Sequence, residues 1–385
     1  MADSATYLSD NPAILTLADD DGFRCFFKKY QLPALTNLGT AFGMGMIITA
    51  YMIGLKAPSG ESMIAPALIG NLGAVLGSIV SVRIMLFFTK KEYGTEAFCE
   101  TSGETDDPEV IRQVIAKAAD LLKGQSLYFD PDRPLVPGTT VQYYLDDTIF
   151  TIVWKEAHHS CVYTFSETKI AHPSQFRRFL AGDAYGTSQQ FLTTEMSASV
   201  NAVTAASGDF YGYRKIGTVV YRGEVCREDN ALDLCMVDSQ GNLNFLYAGQ
   251  APQGEELRKY IEDNEIRFSI SFGPVLIDNG VVKENEDYPV GEIIYYFSRA
   301  ALCQMDELHY LVATANIEKG YPVFPNLAEF AAVIAKTGCP MAYTLDGGQT
   351  ATITINDQLV NQVSYGSQRR ISDIIYFATA LPDGG

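Results

Sequence analysis

The sequence lacks the short motifs that mark several large enzyme classes. Its 385 residues contain no P-loop, no GxGxxG, no HExxH and no GxSxG. Each of these motifs builds one kind of phosphate, dinucleotide, zinc or nucleophile site. Nucleotide-binding, zinc-protease and α/β-hydrolase functions therefore have no support in the sequence.

Positive charge is scarce as well. The chain has 28 Lys and Arg against 46 Asp and Glu, which gives a net charge of −18. A nucleic-acid surface needs clustered Lys and Arg to neutralise phosphates. We therefore expect no nucleic-acid partner, and we expect a polyanionic ligand to bind only at a local basic pocket.

The seven cysteines show no CxxC and no metal-ligand spacing. His158 and His159 lie near Cys161, but neighbouring residues of a strand point to opposite faces, so we expect no metal site and no cofactor. Cys226 and Cys235 flank a predicted hairpin turn. They either bridge across it or are two free, half-buried thiols, and the odd cysteine count leaves the redox compartment open.

Two uncharged runs near the N-terminus, residues 30–55 and 62–82, are each long enough to cross a bilayer as a helix. We predict a polar tail over residues 1–33 and a transmembrane helical hairpin over residues 34–91. One spanning helix with one interfacial or buried helix is the alternative. Because a long polar segment precedes the first run, we expect no cleavable signal peptide. Positive residues before and after the hairpin would place both ends in the cytoplasm.

The rest of the chain predicts an α+β fold, a β-rich mixed-sheet domain with flanking helices. Residues 92–139 are predicted to be a helical connector, with a helix beginning at Asp107-Pro108. Strands follow from residue 140, with shorter helices within 174–180 and 188–205 and another over 326–337.

The stretch AYTLDGGQTATIT, residues 342–354, predicts a strand, a tight glycine turn and a second strand. Gly347 and Gly348 allow positive φ and a close approach of ligand to backbone. Asp346 at the rim of such a turn is able to face a cleft. A hairpin connection without a ligand gives the same pattern.

Five ordered blocks of the sequence resemble the phosphodiester glycosidase family. The blocks are SGDFYGYR (207–214), SFGPVLIDNG (271–280), SRAALCQMDELHYLV (298–312), NLAEF with AYTLDGGQTATI (326–353) and QRRISDIIYF (368–377). They span most of residues 148–385, and we expect the family domain to cover residues 140–385.

The resemblance implies a set of site residues. The catalytic candidates are the carboxyl groups of Asp209, Asp346 and Glu329. The substrate-binding candidates are Arg299, Arg369, Gly347, Gly348, Thr350 and Tyr211.

Alternatives stay open for the charged members of this set. Asp209 is either a site carboxylate or the cap of a turn, and the spacing does not say which acid does what. Arg299 either binds phosphate or forms a buried ion pair with Asp346 or Glu329, since an unpaired buried charge is costly. Glu329 is either an acid/base group or the anchor of Arg299.

The chain also departs from the family pattern at five positions. They are Ser207 for Asn, Cys303 for Gly, Asn316 for Asp, Ile317 for Gly and Gln349 for Gly.

The resemblance implies a membrane-anchored bacterial glycosidase. Its substrate would be an N-acetylglucosamine-1-phosphodiester-like group in cell-surface glycan or exopolysaccharide, with a sugar-phosphate glycan and the membrane as partners. It also places the C-terminal domain outside the cytoplasm, against the charge pattern. The alternatives are a membrane-tethered glycan-binding module that has lost catalysis and a membrane-complex subunit in which the hairpin is the functional part.

Overall fold

The computed structural model describes residues 101–285, 288 and 295–380. The predicted tail and transmembrane hairpin, residues 1–91, lie outside these ranges. Within them, every helix is too short or too polar to cross a membrane.

Nineteen strands are recorded in the described ranges. They are β1 Thr101–Thr105, β2 Val141–Leu145, β3 Ile149–His158, β4 Cys161–Ile170, β5 Phe176–Leu180, β6 Thr204–Ser207, β7 Val219–Tyr221, β8 Glu224–Arg227, β9 Leu234–Val237, β10 Leu243–Leu246, β11 Phe268–Ile270, β12 Val275–Asp278, β13 Val281–Val282, β14 Arg299–Asp306, β15 His309–Asn316, β16 Met341–Leu345, β17 Ile353–Ile355, β18 Gln358–Leu359 and β19 Asp373–Phe377. The α-helices are α1 Pro108–Lys117, α2 Ala119–Leu122, α3 Thr193–Ser199, α4 Gly254–Asp263 and α5 Leu327–Ala335.

The strands recorded in these ranges form three sheets whose neighbouring strands run antiparallel. Sheet A has the order β1-β2-β3-β4-β15-β14-β16-β12-β13, sheet B the order β10-β9-β11-β7-β8, and sheet C the order β18-β17-β6-β19-β5. This confirms the β-rich α+β fold. It also places β1, which precedes residue 140, at the edge of sheet A beside β2.

One face of sheet A packs against α1, α2 and α5 in a continuous apolar core. Trp154 of β3 is fully buried there and stacks on Phe165 at 5.2 Å between ring centroids. The predicted helix starts are confirmed, because Asp107 caps α1 by accepting from the backbone N–H of Glu109, and Asn326 caps α5. The buried side of α5 includes Phe330.

The other face of sheet A packs against sheets B and C together. Helix α3 then covers the outer face of sheet C, and α4 the outer face of sheet B. The molecule is therefore layered, and the three sheets share one buried interior. Residues placed at the strand ends in this interior come from distant parts of the chain.

One predicted helix is wrong. The segment predicted to be helical over 174–180 begins in a 3-10 turn, Pro173–Gln175, and continues as strand β5, Phe176–Leu180. The FRRFL segment alternates, with Phe176, Arg178 and Leu180 turned inward, which is the two-residue period of a strand. The segment predicted to be helical over 188–205 contains α3, and β6 begins within its last residues.

The cysteine alternatives are also decided for Cys226 and Cys235. Both thiols are free, and β11 and β7 lie between their strands in sheet B. Side chains separated by two intervening strands are beyond the reach of a disulfide. Within the described ranges no cluster of His, Cys, Asp and Glu is able to hold a metal ion, and His158 instead bonds to Glu156 at 3.0 Å.

Candidate functional site

The DGG turn is a corner at which the chain leaves sheet A and enters sheet C, rather than a hairpin. Strand β16 ends at Leu345 and β17 begins at Ile353 in the other sheet. A side chain at Gly347 would place its Cβ 2.5 Å from the carbonyl oxygen of Ser298. Gly348 has φ of 63° and donates its N–H to that same oxygen at 2.7 Å. Gly347 is therefore required because the chain passes close to Ser298, and Gly348 because its φ is positive.

Asp346 is buried at this corner and is held by its main chain. Its N–H donates to the Gly208 carbonyl at 3.0 Å, and the Ser207 hydroxyl donates to the Asp346 carbonyl at 3.1 Å. Both partners lie at the end of β6 in sheet C. The corner is thereby fixed between two sheets, and Ser207, which replaces the family's Asn, contributes a direct contact.

The carboxyl group of Asp346 is not in its ordinary electrostatic state. Burial raises its pKa to about 7, while the hydroxyl of Thr350 and the charges of Arg214 and Arg369 pull the pKa down and the charge of Asp209 pushes it up. Asp346, Asp209, Arg369 and Thr350 are thus brought into one electrostatic neighbourhood. Arg214 joins them, although the sequence did not single it out.

The two guanidinium groups near Asp346 lie on aromatic rings. Arg369 is exposed, and its guanidinium carbon lies 4.6 Å from the ring centroid of Tyr213 and 5.4 Å from that of Phe210. Arg214 lies 4.6 Å from the Phe272 ring and donates to the Phe272 carbonyl at 3.0 Å. Stacking on the aromatic rings orients each guanidinium.

Asp209 is fixed by another guanidinium, the fully buried one of Arg178. Its Oδ2 lies 2.9 Å from Nη2 of Arg178 and accepts from the Ser271 N–H at 2.9 Å, and its Oδ1 accepts from the Tyr211 N–H at 2.7 Å. Arg178 also binds Oδ2 of Asp373 through Nε at 2.8 Å. Asp209 is therefore a turn-capping residue and an ion-pair member at once.

Thr350 and Tyr211 support the neighbouring backbone. The Thr350 hydroxyl donates to the Gly347 carbonyl at 2.6 Å and closes the corner. The Tyr211 hydroxyl donates to the Ser372 carbonyl at 3.4 Å, and the Arg178 guanidinium lies 5.4 Å from the Tyr211 ring centroid.

Arg299 and Glu329 have other immediate partners. Arg299 begins β14, directly after Ser298, so its main chain abuts the glycine corner. Its Nη2 donates to the Tyr295 carbonyl at 2.5 Å. Glu329 is exposed on α5 and its carboxylate accepts from the Asn326 N–H at 3.0 Å, a helix-capping geometry. Their roles in the site stay predictions.

Two of the positions that depart from the family pattern are buried in packed surroundings. Cys303 lies in the helix-facing core of sheet A together with Cys339. Asn316 accepts from the Asn361 side chain at 2.9 Å and donates to the Ala351 carbonyl at 3.4 Å.

Sequence reasoning missed Arg178, Asp373 and Arg214. Arg178 carried a signal, because it occupies an inward position of the alternating FRRFL segment. Asp373 interrupts the apolar run ISDIIYF within a block already noted. Arg214 is the last residue of the SGDFYGYR block. A charged residue at an apolar position of a strand is the pattern to look for.

We expect the Asp346→Asn variant to be more stable than the wild type at pH 8, with a clearly smaller difference at pH 5. Asp346 releases its proton near pH 3.8 when unfolded but near pH 7 when folded. Between these values the folded state binds more protons, so the stability of the wild type falls as the pH rises. The neutral amide removes this loss, which is on the order of a few kcal/mol. Chemical denaturation at both pH values measures it.

Asp120→Asn, an exposed substitution on α2, is the matched control and should change stability equally little at both pH values. If Asp346→Asn is the less stable protein at pH 8, the carboxylate is stabilised by its neighbours and burial does not dominate.

The chain is similar to several known proteins. Three solved structures align with the chain: the catalytic domain of zebrafish N-acetylglucosamine-1-phosphodiester alpha-N-acetylglucosaminidase (16% identity, 66% of this chain and 87% of that one, TM-score 0.49), a hypothetical protein from Synechocystis (13%, 65% and 65%, 0.43) and a putative exported protein from Burkholderia pseudomallei (12%, 71% and 81%, 0.40). No curated protein sequence matches. Residues 198–378, which include Asp209, the glycine corner and Asp373, match the family model described as phosphodiester glycosidase. This part of the chain therefore belongs to the phosphodiester glycosidase family.

Proposed function

We propose that the protein hydrolyses a sugar-1-phosphodiester at the bond between the anomeric carbon and the phosphate oxygen. The observation that carries the proposal is the state of Asp346, a buried carboxyl group with a pKa of about 7 within electrostatic reach of Arg214 and Arg369. It lies inside the segment that matches the family. An ionisable acid beside two cations suits a substrate that carries a phosphate next to a sugar.

The two carboxyl groups have different proposed roles. Asp346 accepts a proton from the attacking water or stabilises the positive charge that develops on the sugar ring. Asp209 is committed to Arg178 and two backbone N–H groups, so its part is to hold negative charge in place. Phosphate leaves readily, so the reaction depends little on a strong general acid.

The phosphate is the proposed ligand of the arginines. The charges of Arg369 and Arg214 act on Asp346, and Arg299 approaches the same corner through its main chain. A guanidinium matches phosphate oxygens with two parallel hydrogen bonds. Charge developing on the leaving phosphate is then stabilised by groups that are already oriented.

The proposed bond cleavage is tested with the methyl phosphodiester of N-acetylglucosamine-1-phosphate in ¹⁸O-labelled water. Water attacks the anomeric carbon, so we expect unlabelled methyl phosphate and free sugar. Because ionised Asp346 is the proposed base, kcat/KM should rise with pH through about 7. Asp346→Asn should lose at least about a hundredfold in kcat/KM and lose that pH dependence. Label in the phosphate would mean phosphorus–oxygen cleavage and would reject the glycosidase assignment.

The phosphate clamp is tested with Arg369→Met and Arg299→Ala. Each removes one proposed phosphate contact, so we expect KM to rise, by roughly ten- to a hundredfold for a charged hydrogen bond. Arg370→Met is the control, because Arg370 neighbours Arg369 but pairs with Glu195 at 3.0 Å. A KM equal to that of the wild type in Arg369→Met would remove this arginine from the clamp, and the same result in Arg299→Ala would remove the other.

A second candidate, glycan binding without turnover, is favoured by Asn316. The family pattern places an acid there, whereas this chain has a buried amide tied to Asn361. An amide is unable to transfer a proton in the way that a carboxylate does. Calorimetric binding of N-acetylglucosamine-1-phosphate, with no cleavage of the diester over hours, would support this candidate over the enzyme.

Membrane anchoring through residues 34–91, with the domain outside the cytoplasm of a bacterial cell, is also part of the proposal. It rests on the two uncharged runs and on the family resemblance. The full chain should enter the membrane fraction and resist carbonate extraction, and protease added to intact cells should digest the domain. A chain that begins at residue 92 is the control and should leave the membrane fraction. Digestion only after cell lysis would place the domain in the cytoplasm.

A further inference from the structure

Arg178 is a point at which sheets B and C are joined. It lies on β5 of sheet C and is fully buried, with Nε 2.8 Å from Oδ2 of Asp373 and Nη2 2.9 Å from Oδ2 of Asp209. Its Nη1 donates to the Ser269 carbonyl of β11, in sheet B. Arg178 and Asp373 are diagonal neighbours on adjacent strands, since Arg178 pairs with Ile375 and Asp373 with Leu180.

Stability alone is a poor explanation for this cluster. Two carboxyl groups share one buried guanidinium, and Oδ1 of Asp373 has no hydrogen-bond partner within the described ranges. Burial raises the pKa of Asp373 to about 7 although Arg178 lowers it, and the charge of Asp209 raises it further. Apolar side chains in such a place are often equally stabilising. What the ionic cluster provides is a defined relative position of Arg178, Asp209 and Asp373.

Two successive sets of hydrogen bonds to the backbone connect this cluster to Asp346. Asp373 accepts from the Gly208 N–H with its carbonyl and from the Asp209 N–H with its carboxylate, both at 3.2 Å. A Cβ at Gly208 would overlap the Asp373 carboxylate, so the strand end lies tightly against it. The Gly208 carbonyl then accepts from the Asp346 N–H at 3.0 Å.

We propose that Arg178 is a positioning residue for the site. By holding Asp209 and Asp373 together, it fixes the loop at Gly208 on which the main chain of Asp346 rests. This inference deepens the proposed function and rests on it for the meaning of the site. The contacts themselves exist independently of any activity, which allows a test without turnover.

Hydrogen exchange of the full-length protein provides that test. In Arg178→Met, amides in the segments 204–212 and 341–350 should exchange at least about tenfold faster than in the wild type, because the loop has lost its anchor. Residues 149–158 of β3 serve as the internal reference. Arg177→Met is the matched control, because Arg177 is the adjacent residue of the same strand on the opposite face and donates to the Ser174 carbonyl.

The kinetic test uses the same diester and asks which parameter changes. A misplaced catalytic group lowers kcat by roughly ten- to a hundredfold, so we expect Arg178→Met to lower kcat with KM changed less than threefold. Arg178→Lys keeps the charge but loses the fork that reaches two acids, so it should recover part of kcat. Asp373→Asn keeps the shape and loses the charge, and should also accelerate exchange in 341–350.

The outcomes separate the two proposals. Faster exchange in 341–350 with no diester cleavage by the wild type supports the positioning role and rejects the proposed reaction. Diester cleavage by the wild type, with unchanged exchange and kcat in folded Arg178→Met, rejects the positioning role alone. If Arg178→Met does not fold, Arg178→Lys and Asp373→Asn test the positioning role instead. Unchanged exchange and unchanged kcat in both variants would overturn the positioning role.

Discussion

The buried ion pairs of Arg178, where sheets B and C meet, are the constraint on which the site depends. Arg178 is buried, and Asp209, Asp373 and a backbone carbonyl balance its charge. A buried ion that loses one partner leaves the other uncompensated, so the four groups have one workable arrangement. Because that arrangement includes the end of β6, the loop that follows cannot shift independently of the strands. The corner at Asp346, which hydrogen-bonds to this loop, inherits the same restriction.

The glycine corner shows the same principle at the level of the backbone. Gly347 and Gly348 let the chain pass within hydrogen-bonding distance of Ser298 while it changes sheets. The turn therefore carries the carboxyl of Asp346 into the interior instead of presenting it on a hairpin tip. Burial then raises its pKa toward neutrality, and the stacked arginines keep the rise from going further. The glycine corner therefore buries Asp346 as the chain changes sheets, and this burial makes its carboxyl group able to exchange protons near pH 7.

Much of the fold was accessible from the sequence, whereas the connections within the site were not. Alternation and β-branched residues predicted strands such as VQYYL, and Asn326 predicted the start of α5, because these signals are local. Asp346 and its glycines were found in the same way. Arg178 was missed because FRRFL was read as helix, although its inward positions repeat every two residues. The pairing of Arg178 with Asp209 joins residues that lie 31 positions apart in the chain. No local sequence pattern encodes which buried acid pairs with which buried arginine.

The environments also separate two carboxyl groups that the sequence could not rank. Asp209 has a guanidinium and two backbone N–H groups on its oxygens, and these contacts hold the carboxyl group in place. Asp346 has burial as its largest influence, and its arginines act at longer range. The two acids therefore differ in environment, because direct contacts hold Asp209 whereas burial dominates at Asp346. The charge of Asp209 adds to the effect of burial in raising the pKa of Asp346, so the residue that pairs with Arg178 also acts on Asp346.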